Sequence, residues 1–406
     1  MRALLRSLVA RLASLRLTIV LLVLAIVLVV IATLDQVHLG IWAVQAKYFR
    51  SFVVVQQLPG TGVSIPFFPG GYLVGGLLLA NLLCAQFLRF RLSWRNVGLH
   101  LTHFGIALLL VGELVTGLLS VESHLTLDTG ETRNYAEAAF QRELAITDIT
   151  DPAFDQVWSV PLSRLERREP IALPGCPLTI LPIQFFPNAN FFMRRDAPNA
   201  PASPASLGFG QQVVVQPAAP TYRPNEENAP TAFVEFRGPD GPVGTMLATL
   251  AIAQPQTFTA AGRTYSVTLR RTRIYFDFSL TLLEFRHDKY PGTEIPRNFS
   301  SRVRLRSSDT KEDREVRIFM NNPLRHGGYT FYQSGFKNDD RTTILQVVRN
   351  PGWLIPYLAC VLSGLGLLYH FALSLFAFLQ RDRAAAAGSA APGSPASPRP
   401  ATGGAR

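Results

Sequence analysis

The sequence predicts an integral membrane protein, with four transmembrane α-helices plus a large extracytoplasmic, mainly-β domain that is sandwich- or barrel-like. Three observations predict it. Four apolar segments are long enough to cross a bilayer, basic residues crowd into their short flanks, and one long hydrophilic interval reads as strands. The composition agrees, at 48% hydrophobic and 17% charged, against about 25% charged in an ordinary soluble domain.

The apolar segments come first. Residues 17–34 and 70–88 hold no charged side chain, 97–120 hold only Glu113, and 351–380 hold none. Each reaches the roughly 18–20 residues that cross a hydrocarbon core of about 30 Å. The first follows an Arg-rich start, as a signal peptide would. Its apolar run exceeds the roughly 7–15 residues of such a segment and no A-x-A site follows, so it reads as an uncleaved span.

Charge then orients the spans. The arm 1–16 carries Arg2, Arg6, Arg11 and Arg16, the loop 89–96 carries Arg89, Arg91 and Arg95, and the tail 381–406 carries four arginines and Asp382. These three flanks hold +10 of the net charge of +11. Basic flanks mark the cytoplasmic side, so both termini and the 89–96 loop are expected inside. Loop 35–69 and the domain 121–350 are then outside. Charge in the flanks of apolar runs, rather than on a folded domain, argues against nucleic-acid binding.

In the outer loop, Ile41, Trp42, Val44, Tyr48, Phe49 and Phe52 line one face of a short helix over 41–52. Such a helix lies in the headgroup region or rests on the soluble domain. Within 121–350 strands are expected at 211–217, 231–237, 263–271, 301–306, 314–320, 328–333 and 342–349, where β-branched and aromatic residues recur between turn signals. The interval 187–231, dense in Pro, Ala and Asn, reads as a long loop, and 384–406 as a disordered tail.

Cysteine chemistry is sparse. Cys84 and Cys360 fall in apolar spans, and Cys176 stands alone in the outer domain. No C-x-x-C or C-x-x-C-H motif occurs, so the chain is neither a thioredoxin-like oxidoreductase nor a typical c-type cytochrome. No Walker, Rossmann or nucleophile-elbow motif stands in a credible context.

Chemical promise lies in histidines within spans, where ionisable residues are costly. His100 and His103 share one helical face, and His370 lies in the last span. At 1.5 Å per residue His103 sits about 9 Å, and His370 about 14 Å, from the cytoplasmic ends of their spans. Two imidazoles on adjacent spans at that depth are placed to clamp a haem iron. The plainer alternatives are an interfacial His100 and a helix–helix hydrogen bond for His370. Glu113 and His38 read as interfacial, and His124, His287 and His326 as solvated residues of the outer domain.

Two outer motifs carry turn chemistry. In PGTEIP, after Tyr290, Pro291 and Gly292 suit the central positions of a β-turn. In MNNPLRHGGYTFYQS, Asn322-Pro323 starts a turn before Leu324, and Gly327-Gly328 opens a strand. Tyr329, Phe331 and Gln333 share one face of it, with Thr330, Tyr332 and Ser334 on the other. The strand reads either as a tightly packed hairpin or as an aromatic shelf for a ligand or partner.

The runs DKYPGTEIPRNFSSRVRL (288–305), MNNPLRHGGYTFYQSGF (320–336) and VVRNPGWLIPYLACVLSGLGLLYHF (347–371) resemble the C-terminal signature of the ResB-like family. LTHFGIALLLVGELVTG (101–117) is similar to that family's third span. The resemblance implies cytochrome c biogenesis by the System II route in a bacterial inner membrane. It implies haem transport with a CcsA/ResC-type partner bearing a Trp-rich loop, and delivery to apocytochrome c. The haem is then haem b, held transiently and without a covalent bond. The family's haem ligand falls on His103, with the opposite ligand usually supplied by the partner. Trp42, Trp94, Trp158 and Trp353 are scattered, so this chain is expected to be a non-catalytic subunit of a haem lyase rather than an enzyme alone. Two other readings stand beside it: a b-type cytochrome subunit with haem on His103 and His370, and a cofactor-free membrane scaffold.

Overall fold

The computed structural model describes residues 2–57, 63–89, 93–221, 227–252, 254–293, 296–337 and 340–389. Arg91, Glu294 and Ile295 lie outside them, as does the expected tail from 390 onward. The chain forms two compact units. One comprises Met1–Ile31, Lys47–Leu118 and Gly352–Arg406, and the other Ala32–Ala46 and Leu119–Pro351.

The chain begins with α1 (Arg2–Leu12) and α2 (Leu15–Val44). Helix is the form an apolar run must take where no water is present to satisfy its backbone. At Gly40 the backbone turns to φ 73° and ψ 165°, a conformation open to glycine because it lacks a Cβ. The helical stretch after this kink runs from Ile41 into a π-helical turn, Gln45–Phe49. It ends earlier than the expected 41–52. Trp42 lies tilted against Phe140, ring centroids 4.3 Å apart, within the strand unit, which favours the reading in which the start of this segment rests on the β domain. A hairpin of β1 (Val53–Gln57) and β2 (Ser64–Pro69) follows, then α3 (Gly71–Arg89) and α4 (Val97–Leu119).

The strand unit opens with β3 (Val121–Asp128), β4 (Thr132–Asp148) and β5 (Gln156–Pro161). After a short α5 (Leu162–Glu166) come β6 (Ile171–Ala172), β7 (Thr179–Phe186), β8 (Ala189–Met193) and β9 (Val213–Pro217). Next are β10 (Thr231–Gly238), β11 (Gly241–Thr249), β12 (Gln256–Ala260) and β13 (Arg263–Lys289). The unit closes with β14 (Pro296–Ser307), β15 (Glu312–Phe319), β16 (Leu324–His326), β17 (Tyr329–Lys337) and β18 (Thr342–Arg349). The expected long loop 187–231 contains the β8–β9 ribbon. The last helix, α6 (Ile355–Ser389), returns to the helical unit. It continues past 380 into residues expected to be disordered, because the alanine run after Arg383 has high helix propensity.

All seven expected strands are present, and β13 organises them. Along its 27 residues it pairs in succession with β12, β4 and β14. Around its first half the β5-β4-β13-β12 sheet faces the β11-β10-β7-β6 sheet. The two bury Leu144, Ile146, Val160, Ile180, Val234, Phe236, Met246 and Tyr265 between them as a sandwich. Around its second half the sheet runs β15-β14-β13-β4-β3-β18-β17-β16. Its edge strand β15 comes back against β16 and β17, so this lobe curls toward a barrel. Leu125, Leu127, Phe276, Phe278, Leu282, Val303, Ile318, Phe331 and Val347 fill it.

Among the described residues, four helices are long and apolar enough to cross a membrane, within Leu15–Phe49, Gly71–Leu88, Trp94–Leu119 and Ile355–Arg383.

Candidate functional site

The candidates in the membrane-length helices are positioned by glycines. Gly98, Gly105 and Gly112 recur every seven residues and turn one stripe of α4 toward α6. A Cβ at Gly98 would lie 2.6 Å from the Gly366 carbonyl oxygen, and one at Gly105 would lie 2.7 Å from the Ala359 carbonyl oxygen. At Gly112 it would lie 2.8 Å from Ile355 Cγ2. Small residues let the two backbones approach this closely.

His103 precedes Gly105 by two residues. At roughly 100° per residue it lies about 200° around α4, on the face opposite the seam. It is half-buried, and its Nδ1 donates to the Leu99 carbonyl oxygen at 2.7 Å. Only a protonated Nδ1 can make that bond, so the neutral ring carries its lone pair on Nε2. A backbone carbonyl on the remote nitrogen is the usual second support of a metal-binding imidazole.

His100 shares this face and points to α3, where its Nδ1 meets the Gln86 side-chain amide. Gln86 Oε1 is buried with no hydrogen-bond partner. His370 is exposed, and its backbone nitrogen lies against Gly98 on the seam side. The structure therefore places His103 and His100 together and does not bring His370 to His103. The azimuth of these residues, set by the glycine stripe, was not legible from sequence. Asn81, buried on α3, binds the break between α1 and α2. Its amide donates to the Leu12 and Ser14 carbonyls, and the Thr18 hydroxyl donates to its Oδ1 at 2.7 Å.

The outer motifs resolve into turns and a core. Tyr290–Thr293 is a β-turn with Gly292 at φ 74°, closed by Thr293 N–H donating to the Tyr290 carbonyl at 3.0 Å. Asn322 closes the preceding hairpin, in which Asn321 takes φ 62°, rather than starting a turn with Pro323. Gly327 and Gly328, at φ 57° and 80°, make the two-residue β16–β17 turn between His326 and Tyr329. Positive φ at both central positions is what such a hairpin requires.

Phe331 is fully buried, edge-on to Phe276 at 5.7 Å and Phe278 at 6.0 Å. Leu324 is also buried, and Tyr329 meets Phe276 at 4.8 Å. Gln333 ties three strands together: its Oε1 accepts from Ser301 Oγ at 2.6 Å and its Nε2 donates to Thr343 Oγ1 at 3.0 Å. Phe331 and Leu324 thus lie in the core of a packed hairpin, whereas Tyr290 and Tyr332 are exposed.

Three histidines expected to be solvated are not. The His287 side chain is 5% exposed, and its Nδ1 lies 2.9 Å from Asp340 Oδ1. Phe299 and Phe336 flank its ring at 4.9 and 4.6 Å, and its Nε2 is buried without a hydrogen-bond partner. His326 lies 3.2 Å from the Glu312 carboxylate and edge-on to Phe278. Burial, then the Arg271 charge, hold His124 below the ordinary imidazole value. The signal in sequence was period: Phe285 and His287 alternate on β13, so both face inward.

Fold and site define a class, a protein with four membrane-length helices and a large two-lobed β unit. Within that class, residues 242–344 match the model of the ResB-like family. That stretch runs from β11 into β18 and includes His287, both glycine turns, Phe331 and Gln333. Over 93 residues the chain is 41% identical to Protein NrfI of Wolinella succinogenes, covering 23% of this chain and 10% of that protein. The chain thus spans about a tenth of the length of the curated relative it matches. His103 lies outside the family match.

Proposed function

We propose that this protein acts in cytochrome c biogenesis as the haem-handling subunit of a membrane complex. The observation that carries the reading is His103, a half-buried imidazole in a membrane-length helix whose Nδ1 is held by the Leu99 carbonyl. The ResB-like match at 242–344 supports the same process. In this reading haem is cargo rather than resident cofactor, and His103 Nε2 binds its iron from one side. A CcsA/ResC-type partner with a Trp-rich loop supplies the opposite ligand and the outer haem platform. The strand unit, outside the bacterial inner membrane with both termini inside, receives apocytochrome c. The chain alone attaches no haem.

Within this chain His103 and His370 do not converge, which disfavours the b-type cytochrome reading over haem shared with a partner. The test is covalent haem staining of c-type cytochromes in cells that depend on this protein. Replacement by His103→Ala is expected to abolish the stained bands while the apocytochromes remain. Full staining with His103→Ala would refute the role given to this residue.

A further inference from the structure

The β1–β2 hairpin is the part of the helical unit that the proposed function leaves unused. Its described residues, 51–57 and 63–70, contain no charged side chain. One strand position, Val54, is fully buried. Phe52, Val53, Val55, Ile65 and Phe67 are 66%, 43%, 47%, 42% and 58% exposed. A lone two-stranded ribbon is marginal in water, and this one would offer water apolar side chains on both faces, Val53 and Val55 on one and Ile65 on the other, which soluble surfaces avoid.

The hairpin is also fastened to a span. β2 ends at Pro69 and α3 begins at Gly71. Gly70 N–H donates to the Phe52 carbonyl at 2.9 Å, and a Cβ at Gly71 would lie 2.5 Å from the Phe49 carbonyl oxygen. Two glycines therefore press the start of α3 against the base of the ribbon. Lys47 Nζ donates to Gln56 Oε1 at 3.0 Å, so the ribbon folds over the π-helical turn. Arg50 precedes its base, the Lys47 ammonium lies beside its far half at Gln56, and the apolar side chains lie along its length.

We propose that this hairpin is a lipid-contacting element. It lies at the headgroup–acyl boundary where α3 begins, with its apolar side chains toward the acyl region and its cations toward the phosphates. Apolar side chains beside cations are the pattern of an interfacial element, here built from strands whose backbone groups pair with each other. The inference rests on the four helices spanning a bilayer.

The test uses the full chain with Cys84, Cys176 and Cys360 changed to Ser. Nitroxide labels go on Val55→Cys or Phe67→Cys, one on each strand, and the protein is reconstituted in phosphatidylcholine–phosphatidylglycerol vesicles. Accessibility to oxygen and to a water-soluble nickel chelate is then read by power saturation. Phe154→Cys serves as the aqueous reference and Leu365→Cys, exposed on α6, as the acyl reference. Both hairpin labels are expected to give oxygen-to-nickel ratios between the two references. Ratios equal to that at position 154 would overturn the proposal, because the ribbon would stand in water. Low accessibility to both reagents would overturn it in favour of cover by protein. An aqueous ratio at position 365 as well would bring down the spanning reading itself, and the proposal with it.

Discussion

The helical unit and the strand unit are each held together internally by opposite means. In the helical unit the closest approach occurs where side chains are missing, at Gly98, Gly105, Gly112 and Gly366. In the strand unit, stability comes from large side chains that fill two cores, with Phe331 and Tyr265 among the largest fully buried. The first unit should therefore be intolerant of added volume and the second of lost volume. Removing an aromatic from a filled core loses contacts and leaves a void. Adding a methyl at a backbone crossing forces the helices apart.

The largest effect is expected for Phe331→Ala. It removes the ring packed edge-on against the stacked Phe276 and Phe278 and should destabilise the strand unit by about 3–5 kcal/mol, read as a lowered thermal midpoint of the β signal. An unchanged midpoint would mean that this core is loosely filled. Next comes Gln333→Leu, which leaves the buried hydroxyls of Ser301 and Thr343 bonded only to each other. The expected loss is about 1–3 kcal/mol, by the same melt.

The mirror test in the helical unit is Gly105→Ala, whose methyl would meet Ser363 and the Ala359 carbonyl. A loss of about 1–3 kcal/mol is expected, measured by unfolding in mixed detergent. Gly364→Ala, on α6 with open space around it, should instead be neutral or stabilising by up to about 1 kcal/mol. Equal losses at both glycines would break the comparison.

The smallest effect concerns pH. His124 has its pKa lowered in the folded strand unit by burial and by Arg271. Below the ordinary imidazole value of 6.5 the unfolded chain takes up a proton that the folded chain refuses. Stability therefore falls as pH drops from there toward the lowered value and levels off below it. His124→Gln should flatten that slope in a pH series of thermal midpoints.

Much of this architecture is readable in the residues. The spans show because hydropathy is uniform over whole segments, and strands such as β10 and β18 because β-branched and aromatic residues recur there. β4 was hidden, since TRNYAEAAFQRELAITD mixes alanine and glutamate, which are poor strand formers, into a strand fixed by its long neighbour β13. The β1–β2 hairpin was hidden by prolines and by the short intervals around it. In the site, spacing placed His100 and His103 on one face. It could not show that the glycine seam turns that face away from His370, nor that the β17–β18 connection brings Asp340 to His287. Those facts depend on long-range contacts, and no local pattern encodes them.

Binding of haem iron by His103 is tested most directly by an absorption spectrum of the protein co-expressed with a Trp-rich CcsA/ResC-type partner. The parent is compared with His103→Ala and His370→Ala. A Soret band is expected in the parent, lost or shifted in His103→Ala and kept in His370→Ala. A band unchanged by His103→Ala, or no band in the parent complex, would contradict that role.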